Sequence, residues 1–322
     1  MKALEHCRWK PRWASRMGCI RGCLDYLGIE MNDSWLYGGT GFAFAINVHT
    51  TVCPSGATAW RTDELDELGQ NLGFHSESTV CADTAAADEL DRAREAAWVR
   101  ARDAIAAGYP CYAWELRTPE YYVVYGYDES GYYYSGVGCE TGAGPLPWRK
   151  LGESPIGIVE LVCLRPGTAA SPEKTVRDAL SFAGSRAFAS QDETDRDYHR
   201  GTDAFTAWID ALETGIASDM GTRYNAGVWL ECRRNAVGFL TEARERLRAA
   251  PSSPFDDAVR YYAAVAANLS SVAHVYPWHA YVEEGTTLPV DERSRSAADS
   301  LRKARRAETA GLHALEQIVA GL

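Results

Sequence analysis

The chain has 322 residues, 46% hydrophobic and 24% charged, the balance of a globular protein with one large domain or two ordinary ones. Its net charge of −11 is shared: residues 1–166 carry 15 basic and 22 acidic side chains, and the remainder 18 and 22. No basic cluster exists to neutralise phosphates, so a nucleic-acid partner is excluded.

No apolar run approaches the ~20 residues that span a bilayer, so no membrane partner is expected. The opening "MKALEHCRWKPRWASRMG" has no continuous apolar core followed by a small-residue cleavage site, which sets the expected location as cytoplasmic. A helix is predicted over about 15–27, stopped by Gly28, because glycine alone is at ease in the left-handed conformation that ends helices. An acidic, Ala-rich helix follows at about 84–107, then strands at about 110–117, 120–127, 131–135 and 156–164. "DESG" (128–131) is a turn between two of those strands.

"PGTAASPEK" (166–174) reads as a linker. Beyond it helices are predicted at about 173–188, 200–215, 224–247, 255–274 and 292–320. The clearest has Val228, Cys232, Ala236, Phe239, Leu240, Ala243 and Leu247 on one stripe. The fold class is therefore α+β: a helix plus antiparallel sheet over 1–166, followed by an all-α helical bundle over 173–322.

Nine cysteines are scattered at positions 7, 19, 23, 53, 81, 111, 139, 163 and 232, with no Cys-x-x-Cys pair, and are expected as free thiols. No spacing suggests a zinc site, and neither a metal nor another cofactor is expected.

"GCIRGCLDYLGIEMNDSWLYGGTGFAFAI" (18–46) and "YYVVYGYD" (121–128) together resemble the N-terminal domain family of butirosin biosynthesis protein H and the related bacteriocin-processing cysteine peptidases. The resemblance covers roughly residues 10–165 and implies a papain-like N-terminal domain. The family's nucleophile pattern, Cys-Gly-Pro-x-Cys-Leu, runs into a helix ending in Tyr-x-Gly. Anchored on "LDYLG" (24–28), it puts the nucleophile position on Ser15, the second, structural cysteine on Cys19 and the oxyanion-hole glutamine near Trp9. Anchored on "GYD" (126–128), the histidine position falls on Tyr121, or on Glu120 one register earlier, and the orienting Asp near Ser135 or Gly136. Ser15, Glu120 and Tyr121 are thus the family-equivalent catalytic positions, each with a different residue type from the usual one. A thiolate needs an adjacent imidazole, and His49 and His75 lie away from that strand.

Alternation along "YPCYAWELR" and "EYYVVYGYD" adds a ligand reading. With a Thr118–Pro119 turn, Glu115 is opposite Tyr122, and Glu120 is opposite Arg117 as a cross-strand ion pair. Glu115 and Tyr122, with Trp13, Cys19 and Trp114, are the expected binding residues. They would face the N-terminal end of the first helix and take a small-molecule ligand, an amine among the candidates. Three functions remain open. One is a natural-product or amine biosynthetic protein using acyl or amide transfer without a papain-type triad. Another is a non-catalytic ligand- or partner-binding pseudoenzyme. The last is an active cysteine peptidase using Cys19 or Cys23.

Overall fold

The computed structural model describes residues 1–60, 62–82, 85–188, 197–247, 252–279 and 285–322. Its first elements are β1 (Lys2–Ala3), α1 (Ser15–Leu27), α2 (Asp33–Gly39), β2 (Asn47–His49), α3 (Asp63–Gln70), β3 (Phe74–Cys81) and α4 (Ala87–Ala106). Next come β4 (Cys111–Trp114), β5 (Tyr121–Tyr127), β6 (Gly131–Gly136), β7 (Cys139–Pro147) and β8 (Val159–Pro166). The rest is α5 (Pro172–Phe188), β9 (Tyr198–Arg200), α6 (Gly201–Thr214), α7 (Asp219–Arg246), α8 (Ser252–Val275) and α9 (Glu292–Gly321). The architecture is α+β, with an antiparallel sheet early and a mostly helical C-terminal part. Residues 83–84, at the expected start of the acidic helix, lie outside the described residues. No helix among the described residues is long and apolar enough to cross a membrane.

The chain divides into two compact units, Met1–Met31 with Gly73–Ala169, and Asn32–Leu72 with Ala170–Leu322. The later boundary falls in the expected linker. The expected 1–166 domain is nevertheless interrupted, because the segment 32–72 belongs to the helical unit. Its own contacts give the reason. Gly38 lies so close to Phe239 that a Cβ there would be 2.0 Å from the ring, Trp35 lies 5.1 Å from the same ring, and Tyr37 donates to Glu231 at 2.6 Å. The stripe expected on α7 is buried from Val228 to Ala243, and Trp208 and Trp229 fill the core of this unit.

In the first unit the sheet order is β3-β8-β4-β5-β6-β7, with β1 also paired to β5, all antiparallel. Alternation assigns the faces. Tyr112, Trp114, Tyr121 and Val123 point one way, toward α1, whose Arg16 guanidinium stands 5.4 Å from the Tyr121 ring. Cys111, Tyr122, Val124 and Tyr132 point the other way, toward α4, whose Trp98 packs edge-on at 5.1 Å from Tyr132. Gly18 and Gly22, one turn apart on α1, let the backbone of residues 8–10 approach. A Cβ on Gly22 would lie 2.1 Å from the Arg8 carbonyl oxygen.

Candidate functional site

Helix α1 begins at Ser15 with no acidic residue in its first turn and no side-chain cap from Ala14. The missing carboxylate comes from the loop before β5. The Ser15 hydroxyl donates to Glu120 and accepts the Tyr121 amide at 3.0 Å. A carboxylate at that end also suits the positive pole of the helix dipole. Around this pair, the Trp9 indole donates to the Ser15 carbonyl at 3.1 Å, and the Trp9 amide donates to the Ser135 hydroxyl at 2.8 Å.

Behind it lies a second network. Tyr121 donates its phenol proton to Glu160 at 2.9 Å, and Arg16 pairs with the same carboxylate at 3.3 Å. Burial first, and then the Glu160 charge, push the Tyr121 phenol well above its ordinary pKa. It is therefore a neutral donor at neutral pH. Arg16 and Glu160 were not anticipated, although Glu160 carried a signal: it is the one acid in the otherwise apolar run "IVELVCL" (158–164).

Ser15, Glu120 and Tyr121 are thus together, with Trp9 and Ser135 beside them. The expected binding residues do not form one group. Trp114 packs on Tyr121 at 4.9 Å, and Trp13 is half-buried just ahead of α1. Cys19 has no exposed atom, and burial foremost, then Glu120, raises its pKa well above the usual thiol value. Cys23 is equally buried and is likewise raised, by burial and then by Cys7.

Glu115 and Tyr122 need correction. Ala113, not Glu115, pairs with Tyr122. The turn is longer than the two-residue Thr118–Pro119 link: Glu115 takes a positive φ of 56°, and its amide donates to the Glu120 carbonyl at 2.8 Å, closing residues 116–119 as the loop. A slip of two residues keeps each side chain's face but changes its neighbour. Glu115 accepts from Ser154. Tyr122, on the α4 face, shares a hydrogen bond with the Thr118 hydroxyl at 2.6 Å. Neither side chain hydrogen-bonds to Ser15, whose hydroxyl partners are Glu120 and the Tyr121 amide. Nor do Arg117 and Glu120 form the expected ion pair, since Arg117 donates to the Gly138 carbonyl and Glu120 serves Ser15.

An open cleft of about 760 Å³ lies on the α4 side, lined by Lys2, Trp98, Arg102, Tyr127, Asp128 and Glu129 among others. The Arg102 guanidinium stands 5.6 Å from the Trp98 ring and 5.7 Å from the Tyr127 ring. Asp128 accepts from the Tyr133 hydroxyl and the Ser130 and Gly131 amides. Those bonds, the Tyr133 hydroxyl foremost, hold its carboxyl below the ordinary range. Sequence patterning missed this cleft because Trp98 and Tyr127 come from a helix and a strand whose meeting no local spacing encodes. Among the described residues, no group of three or more His, Cys, Asp or Glu is placed to hold a metal.

No family model matches the chain, and no curated protein matches it either.

Proposed function

We propose that this chain is a non-catalytic ligand-binding protein on a cysteine-peptidase-like frame whose catalytic positions have become structural. The frame is supported by the convergence of Trp9, Ser15, Tyr121 and Ser135, the positions to which the resemblance assigns oxyanion, nucleophile, histidine and orienter roles. Loss of chemistry rests on one observation: Ser15 is 2% exposed, and its hydroxyl is engaged by Glu120 and the Tyr121 amide. Burial of Cys19 and Cys23 as protonated thiols argues against the peptidase reading.

One feature favours acyl transfer instead. A hydroxyl donating to a carboxylate is also the geometry of a nucleophile and its base. Intact-mass analysis after exposure of the native protein to a fluorophosphonate and, separately, to iodoacetamide decides between them. The binding reading expects no adduct on Ser15, Cys19 or Cys23. A stoichiometric fluorophosphonate adduct on Ser15 would establish the acyl-transfer reading.

The cleft suits an amine-bearing small molecule. Its rings already hold a cation of the protein's own, and the Asp128 carboxylate stays ionised beside them. Calorimetric titration with spermidine should show binding that Asp128→Asn weakens roughly tenfold and Arg102→Ala tightens, because Arg102 competes for the rings. Equal heats from all three proteins would remove the cleft from the proposal.

A further inference from the structure

Cys7, Cys19, Cys23, Cys111 and Cys163 are all fully buried in the first unit, yet they are not equivalent. Cys19 and Cys23 belong to α1, and Cys23 lies beside Cys7. Cys111 and Cys163 point to the opposite, α4 face, as direct partners on the antiparallel strands β4 and β8. Their sulfurs are 3.0 Å apart. Leu164 donates its amide to the Pro110 carbonyl at 2.9 Å, so hydrogen-bonded pairing falls on 110/164 and the adjacent 111/163 pair is of the non-hydrogen-bonded type. Such pairs have Cα atoms about 4.5 Å apart, inside the range of roughly 4.4–6.8 Å that a disulfide accepts. Side-chain rotation alone suffices to close the bond.

We propose that Cys111 and Cys163 form a dithiol that closes to a disulfide between β4 and β8 when the chain folds in the presence of a low-molecular-weight disulfide. In the first step one cysteine thiolate attacks the small disulfide, forming a mixed disulfide and releasing one small thiol. The second cysteine, having lost its proton to solvent, then attacks the protein-side sulfur and releases the other small thiol. The protein loses two electrons and the small disulfide gains them; the two protons end on the released thiols. Full burial of both sulfurs leaves no room for the mixed disulfide in the native fold, so the exchange belongs to folding or to transient opening of the α4 layer. Its consequence reaches the Ser15 cluster. Strand β4 leads into the loop that presents Glu120, and β8 carries Glu160, so the bond ties together the two strands that deliver those carboxylates.

The test is synthesis of the full chain in a cell-free extract buffered with reduced or with oxidised glutathione. The product is then denatured in excess maleimide and its peptides mapped by mass spectrometry. Under reducing conditions all nine cysteines should take the label. Under oxidising conditions Cys111 and Cys163 should escape it as one linked pair, and the thermal midpoint of the folded product should rise by roughly 5 °C. Full labelling in both extracts, a Cys7–Cys23 link in its place, mixed pairings, or a midpoint that falls would each overturn the proposal. Cys163→Ser in the oxidising extract should leave Cys111 labelled. A new partner for Cys111 in that variant would also count against it.

Discussion

Ser15 occupies a helix N-terminus, where backbone amides lack partners within the helix, and its hydroxyl joins that end to the β5 strand through Glu120 and the Tyr121 amide. Removing the hydroxyl takes the acceptor from the buried Tyr121 amide and one donor from Glu120. Ser15→Ala should therefore cost about 1–3 kcal/mol in urea unfolding. Glu120→Gln keeps an acceptor of the same shape and should cost less, about 1 kcal/mol. In the double variant the losses should fail to add, with a coupling of about 1–2 kcal/mol, as expected for groups in one hydrogen-bonded network. Strict additivity would show that the two side chains do not share the contact. The resemblance made Ser15, Glu120 and Tyr121 legible in the sequence, but not what they do with their hydrogen bonds. For Tyr121 that depends on Glu160, which β8 supplies, and on Arg16, the residue after Ser15 on α1, whose guanidinium meets the same carboxylate.

At the scale of elements, α1 owes its position to glycine as well as to its buried Met17, Ile20 and Leu24, since the chain before it packs on Gly18 and Gly22. Two glycine substitutions separate close approach from backbone strain. At Gly22 a Cβ would run into the Arg8 carbonyl, a backbone atom that cannot swing aside. At Gly28 nothing lies within 4 Å, and only the φ of 70° opposes a side chain. Gly28→Ala should cost about 1 kcal/mol, whereas Gly22→Ala should cost more, on the order of 2–3 kcal/mol with a shift of the 8–10 segment. Thermal melts of both would check the order, and a milder effect at Gly22 would mean that the segment yields freely. Gly28 as a helix stop was legible because the rule is local. The β4–β5 register was not, because it turned on Glu115 adopting a positive φ, which glutamate composition does not announce. Helices α5–α9 follow the sequence expectation closely, since each carries a long periodic apolar face.

For the whole molecule, the grouping of residues 32–72 with the helical unit was the feature least legible in the sequence. It rests on contacts between residues nearly 200 positions apart, of which Arg233 makes the most telling. Its guanidinium is fully buried. It forms a two-pronged pair with Glu308, at 2.9 and 2.7 Å, and donates to the carbonyls of Ala43 and Ala45 at 2.9 and 2.8 Å. One side chain thus holds α7, α9 and the segment after α2 together. Burial alone would lower its pKa, but Glu308 overrides burial and raises it, so the charge persists. A buried pair of this kind costs two desolvations, and the pairing with the four hydrogen bonds offsets that cost. Removing one partner leaves a buried charge uncompensated: Glu308→Gln should destabilise by about 3–5 kcal/mol. Arg233→Met with Glu308→Leu removes both charges and fills the volume, so it should recover much of that loss. It should still fall short of the native chain, because the Ala43 and Ala45 carbonyls would then be buried without a donor, at about 1 kcal/mol each, the low end for an acceptor that loses its partner. Urea unfolding of the three proteins would show the order native, double variant, single variant. A double variant weaker than the single one would mean that the two carbonyl contacts, rather than the ion pair, fix the 32–72 segment in the helical unit.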